Sequence, residues 1–137
     1  MMKTVASAFL ILASAQASAE LPACASDAAA KFEIPEKVFH AMVLEARANW
    51  QGKPKHYGPM GLYDLVIPHV AGEIGVSSES IRNDPCPNYY ASAWWLMNEA
   101  GGNEDSIWDA VAVYYHGRKE RESYPMRDRV RAIYEQL

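Results

Sequence analysis

Glu45 lies within PEKVFHAMVLEARANW, a stretch whose apolar residues recur at helical spacing. At about 100° per residue, Val38 falls about 20° from Glu45 and Met42 about 60°, so the carboxyl belongs to the apolar side of the predicted helix. Its same-face neighbours at i−4, i−3, i+3 and i+4 are Ala41, Met42, Ala48 and Asn49, and the helix itself offers it no basic partner. A carboxylate against apolar surface resists ionisation. Its pKa is expected to rise, as a general acid working near neutral pH requires. The alternative is a glutamate at the helix edge leaning into solvent, since strongly buried carboxylates are rare.

A short way downstream comes GPMGLYDLVIP, running from Gly58 to Pro68, a glycine-punctuated loop that feeds an apolar run. Two further segments follow in order, DPCPNYYASAWWL from Asp84 and WDAVAVYYHG from Trp108. Together these resemble the soluble lytic transglycosylase family, relatives of goose-type lysozyme. That family pairs an E-S step on a helix with a G-x-M-G-L-M-Q loop, a D-P-x-x-N helix and a W-x-A-V-A-A-Y-N-A-G segment closing a sugar cleft. Gly58, Met60, Gly61 and Leu62 match the loop at about the family's distance from Glu45.

The resemblance implies a compact, all-α lysozyme-like domain that cleaves the β-1,4 bond between N-acetylmuramic acid and N-acetylglucosamine in peptidoglycan. An ordinary glycoside hydrolase uses two carboxylates. A lytic transglycosylase uses one glutamate, here Glu45, first as acid toward the glycosidic oxygen and then as base toward the C6 hydroxyl, leaving a 1,6-anhydro ring. Met60, Gly61, Leu62, Asp64, Tyr114 and Tyr115 are the expected substrate-binding positions. Small transglycosylases of this kind open the wall for secretion, conjugation or pilus machines, and such components are the implied partners. No cofactor is implied. The second reading is a non-catalytic descendant that binds glycan or an assembly partner through the same cleft.

Three departures mark the chain. Ala46 stands where the family has serine after the glutamate, Tyr63 and Asp64 replace the methionine and glutamine of G-L-M-Q, and Tyr114-Tyr115-His116 replaces Y-N-A. In gapless register Tyr114 takes the place of the family tyrosine; a one-residue shift puts Tyr115 and His116 there instead. Asp64 is open to three readings: a cleft hydrogen-bonding group, a second catalytic carboxylate giving a lysozyme-like hydrolase, or an exposed residue without chemistry. Tyrosines suit a sugar cleft, offering a flat face and a hydroxyl. Trp94, Trp95 and Trp108 are expected mostly in the core. His40 and His56 are assigned no role, and the GRKERE segment reads as a solvated face.

The N-terminus has the features of a secretory signal. Lys3 supplies the basic region, Val5 to Ala13 the apolar one, and Ala17-Ser18-Ala19 the cleavage site. The run is too short for a membrane span. Export would leave a single domain, 20–137, in the periplasm without stable membrane insertion. Removing Lys3 from 13 basic residues leaves 12 against 17 acidic, a net charge of −5 that argues against a nucleic-acid partner. Cys24 and Cys86, an even count in an exported chain, suggest a disulfide. Secretion-associated transglycosylases place cysteines similarly, before the catalytic helix and in a D-P-C motif. The two cysteines lack zinc spacing.

The elements that must position these residues read as nearly all helix. Helices are predicted from about Ser26 to Phe32, from Pro35 through the Glu45 segment, and from Leu62 to Glu73 with a break at Pro68. Others are expected as a short turn capped by Ser77 or Ser78, over Asn88 to Ala100, after an Asn103 cap with Glu104 and Asp105 beside it, and from Tyr124-Pro125 to Leu137.

Overall fold

The computed structural model describes residues 20–102 and 104–137, so the expected leader at 1–19 and the expected cap Asn103 lie outside the described residues. Helix α1, Ala23–Lys31, buries Ala25, Ala28 and Ala29. These small side chains let it lie close against α5, Pro85–Trp94. The Cys24–Cys86 disulfide joins the two helices with Cα atoms 5.5 Å apart. Helix α2, Glu36–Asn49, is the central element and buries Val38, Phe39, Met42, Val43 and Glu45 among others. Pro35 sits one residue ahead of the helix, at its N-cap.

The expected helix from Leu62 to Glu73 is corrected. Leu62–Tyr63 (β2) pairs antiparallel with His56–Tyr57 (β1), His56 opposite Tyr63 and Tyr57 opposite Leu62. Helix α3 begins only at Ile67 and runs to Ile74. Pro68 therefore does not break a helix; it lies in the first turn, where its missing N–H costs nothing. Gly75, in the left-handed conformation with φ 72°, ends α3. Ser77 then caps the short α4, Ser78–Asn83, its hydroxyl accepting from the Ser80 N–H.

The long helix predicted over Asn88 to Ala100 is in two parts. α5 gives way to π-helix over Trp95–Ala100. Helix α6, Ile107–His116, starts later than expected: its cap is Ser106, which accepts from the Asp109 N–H, and Asp109 is the acidic residue of its first turn, with Glu104 and Asp105 ahead of the helix. Helix α7, Pro125–Gln136, opens at Tyr124-Pro125 as the sequence indicates.

Two apolar clusters hold these elements. The larger gathers Phe39, Met42, Val43, Leu96, Val111 and Val130 from α2, the π-segment, α6 and α7. The smaller lies under the hairpin and joins Leu62, Ile67, Val70, Ile81 and Ala91. Trp94, Trp95 and Trp108 are only partly buried against these clusters, at odds with the core placement expected from sequence. No helix among the described residues is long and apolar enough to cross a membrane.

The disulfide closes a loop of 62 positions across the α1–α5 contact. Loss of that cross-link in a Cys24→Ser, Cys86→Ser double variant is expected to lower stability by about 4 kcal/mol on the chain-entropy account. Urea denaturation of the variant beside the oxidised protein measures the difference.

Candidate functional site

The loop before β2 is pinned by a single side chain. Asn88, fully buried on α5, donates from its amide nitrogen to the Tyr57 carbonyl (3.0 Å) and the Ile81 carbonyl (2.9 Å). Its amide oxygen accepts from the Met60 N–H at 2.9 Å. The two glycines of GPMG are there for room as well as conformation. Gly58, at φ 73°, would carry a Cβ 2.3 Å from the Asn88 amide carbon. Gly61, at φ 56°, would carry one 2.6 Å from the Trp50 Cβ. The loop thus wraps Asn88 on one side and leans on Trp50 on the other.

That arrangement builds one wall of a cavity of about 570 Å³, within the usual range for ligand sites. An unbroken row of aromatic rings lines it. Tyr114 meets Tyr115 edge-on at 4.9 Å, Tyr115 stacks on Trp50 at 6.0 Å, Trp50 tilts against His56 at 5.3 Å, and His56 against Tyr63 at 5.3 Å. His56 donates from Nδ1 to the Gly61 carbonyl at 2.7 Å, which fixes the ring across the hairpin. Burial pushes the Tyr114 hydroxyl up to about 12, partly offset by the nearby Ser92 hydroxyl. Tyr115 is pushed well above the usual tyrosine value by burial, then by Tyr114 and the Glu45 charge, with Arg129 pulling the other way. Both remain neutral O–H groups at any physiological pH.

Glu45 departs from its sequence reading in one decisive respect. It is buried as the apolar face requires, with 1% of its surface exposed, yet it does not lack a cation. Arg129, 84 positions along the chain on α7, donates from Nε (2.9 Å) and Nη2 (2.6 Å) to Oε1. Asn49 donates to Oε2 at 3.1 Å. A survey of i±3 and i±4 neighbours on one helix does not see a partner delivered by another helix. The carboxylate hydrogen bonds hold the Arg129 guanidinium even more firmly protonated than usual. Glu45 does not itself line the cavity; Tyr115 does, and it is near enough to feel both members of the ion pair.

The remaining sequence candidates divide. Leu62, Tyr114 and Tyr115 line the cavity. Met60 and Gly61 are buried behind it, shaping the loop. Asp64 lies apart, its Oδ1 accepting from Arg82 Nε (3.1 Å) and Nη2 (3.0 Å). His116 turns to the α6–α7 connection, with Nδ1 3.1 Å from Arg121 Nη1. Burial and then the neighbouring Arg121, Arg127 and Arg129 lower its pKa. Trp50, His56, Trp95, Glu99 and Arg118 line the cavity without having been picked out for it. Only the aromatic content near the glycine loop could have pointed to Trp50 and His56. Arg118 belongs to the segment read as a solvated face. No cluster of three or more His, Cys, Asp or Glu residues suited to a metal occurs among the described residues.

Compared with models of protein families, with curated proteins and with solved structures, the chain matches none.

Two outcomes follow from this geometry. Cutting the ion pair from either end should not cost the same. Arg129→Ala strands a buried carboxylate and is expected to lower stability by about 2–3 kcal/mol, below the 3–5 of a fully buried pair because the guanidinium is 46% exposed. Glu45→Gln should cost less, since the freed guanidinium turns to water; paired urea melts test the asymmetry. Tyrosine ionisation gives the second. The folded-state values of Tyr114 and Tyr115 are raised, so their contribution is intact below the ordinary value of 10.0 and is lost as pH rises through the folded-state values, about 12 for Tyr114. Thermal melts from pH 9 to 12 should fall over that window, and less steeply in Tyr114→Phe.

Proposed function

We propose that this protein is a periplasmic lytic transglycosylase that cleaves peptidoglycan glycan strands, with Glu45 as the single acid and base. The observation that carries the reading is a carboxyl buried in the central helix and set behind Tyr115, a wall of an aromatic-lined cavity. The cavity's flat rings and neutral hydroxyls suit pyranose faces and sugar hydroxyls. The family resemblance of the GPMGL, DPCPN and WDAVAVYYHG segments supplies the reaction.

Glu45 first gives its proton to the glycosidic oxygen as the bond to C1 of N-acetylmuramic acid breaks, and positive charge develops at C1. The resulting carboxylate takes the proton of the C6 hydroxyl as O6 bonds to C1. The glutamate returns to its starting form, and no water is consumed. A proton donor must come within about 2.6–3.2 Å of its acceptor, and Glu45 is enclosed with Oε1 held by Arg129. The cycle therefore opens with the half-exposed Arg129 side chain swinging off Oε1, the freed carboxylate taking a proton from solvent against its apolar surroundings, and Tyr115 giving way. Transglycosylases of this size serve local wall opening during assembly of an envelope-spanning machine, and that is the role we assign.

The ion pair is also the observation that favours a second reading, a glycan- or partner-binding domain in which Glu45 and Arg129 simply join two helices. Digestion of purified Gram-negative sacculi, with products identified by mass spectrometry, separates the two. The enzyme releases 1,6-anhydromuropeptides, Glu45→Gln releases none while keeping its fold, and Arg129→Gln releases them at least as fast as the parent. Sacculi left intact by the parent protein would overturn the enzyme reading and leave the binding one. Reducing-end products would keep Glu45 as acid and make the reaction a hydrolysis.

A further inference from the structure

Trp95–Ala100 is the π-helical segment of the described chain, and such turns gather at functional sites. Its ladder ends with the Gly101 N–H on the Leu96 carbonyl at 2.6 Å, five residues back. In a 3.6-residue helix Ala100 would stand about 140° around from Trp95. The widened turn instead brings Trp95, Glu99 and Ala100 together onto the cavity wall. Gly101 permits this, because a Cβ there would lie 2.6 Å from both the Leu96 oxygen and the Ala110 Cβ, so the turn is pressed against α6.

Glu99 is the carboxylate among the described residues that line the cavity. Its Oε1 is 2.8 Å from His69 Nε2, and His69 stands edge-on to Trp95 with ring centres 6.2 Å apart. Arg118 donates to the Glu99 backbone carbonyl, which ties that cation to the main chain. No described residue bonds the second carboxylate oxygen. An indole face beside a carboxylate with an open lone-pair side is a place for a sugar ring: apolar C–H groups against the ring, hydroxyl or amide hydrogens onto the oxygen. The same carboxylate repels a ligand that carries its own.

We infer that Glu99 is a specificity-determining residue, which seats an uncharged N-acetylhexosamine ring against Trp95 and turns away from that position the N-acetylmuramic residue, whose peptide stem carries free carboxylates. The inference rests on the glycan reading above and adds the direction in which the strand lies in the cavity. It is tested by tryptophan-fluorescence titration with two probes, the neutral β-1,4-linked tetramer of N-acetylglucosamine and N-acetylmuramyl dipeptide. Glu99→Gln should weaken tetramer binding about tenfold, as expected for losing hydrogen bonds to a charged group, and strengthen binding of the carboxyl-bearing probe. His69→Asn, which leaves the carboxylate in place, should hold both affinities within about twofold. Unchanged affinities in Glu99→Gln, an equal loss in His69→Asn, or a parent protein that does not bind the tetramer would each overturn the inference. Parent protein that digests sacculi yet ignores the tetramer defeats only this inference. Tetramer binding that depends on Glu99, together with a Glu45→Gln variant as active as the parent, defeats only the catalytic assignment.

Discussion

A carboxylate in the middle of an apolar helix needs a cation and hydrogen bonds, and much of this molecule is arranged around meeting that need for Glu45. The partner arrives from the opposite end of the described chain, on α7, and its guanidinium points two N–H groups at one oxygen. For Arg129 to reach that far in, α7 must lie along α2, which carries the adjacent Val130 into the main core. Helix α6 then packs on both α7 and the π-segment, and its last turn brings Tyr114 and Tyr115 to the cavity. The electrostatic requirement of one side chain and the apolar packing of four elements are met by the same arrangement.

The cavity has a separate anchor. Asn88 satisfies two carbonyls and one N–H from three different stretches of chain, the hairpin, α4 and the GPMG loop. A buried amide with all these partners specifies one loop conformation, because each alternative leaves a buried polar group unpaired. That loop in turn supports Trp50 through Gly61 and fixes His56 through the Gly61 carbonyl. Half of the aromatic wall is therefore positioned by an asparagine that makes no contact with the cavity itself.

What could be read from sequence was mainly local. Tyr124-Pro125, Ser77 and Gly75 mark helix ends by chemistry confined to a few residues, and the structure places ends there. Two cysteines, an even count behind a leader that reads as an export signal, foretold the bridge between α1 and α5. Helical periodicity put Glu45 on the apolar side of α2 with a solvent-leaning edge position still open, and it could not reveal the pairing, since no periodicity connects positions 84 apart. The two-residue strands carry too little pattern to be told from the start of a helix, so Leu62 and Tyr63 were drawn into α3. Asp64 stays half-buried against Arg82 on α4 and off the cavity lining, again through a contact from another element.

The π-turn at Trp95–Ala100 has a meaning in terms of chain length. Helix α5 and the turn together form one continuous helical rod, and the wider turn is what a helix becomes when it must accommodate one residue more than its α register allows. Removing a single residue there would restore the α ladder and rotate Ala100 off the wall it shares with Trp95. A packed helix face and a cavity wall thus differ here by one insertion, with no change in residue type needed. The shape of this cavity is therefore open to change by an indel within a helix, a kind of change that side-chain substitution alone would not reproduce.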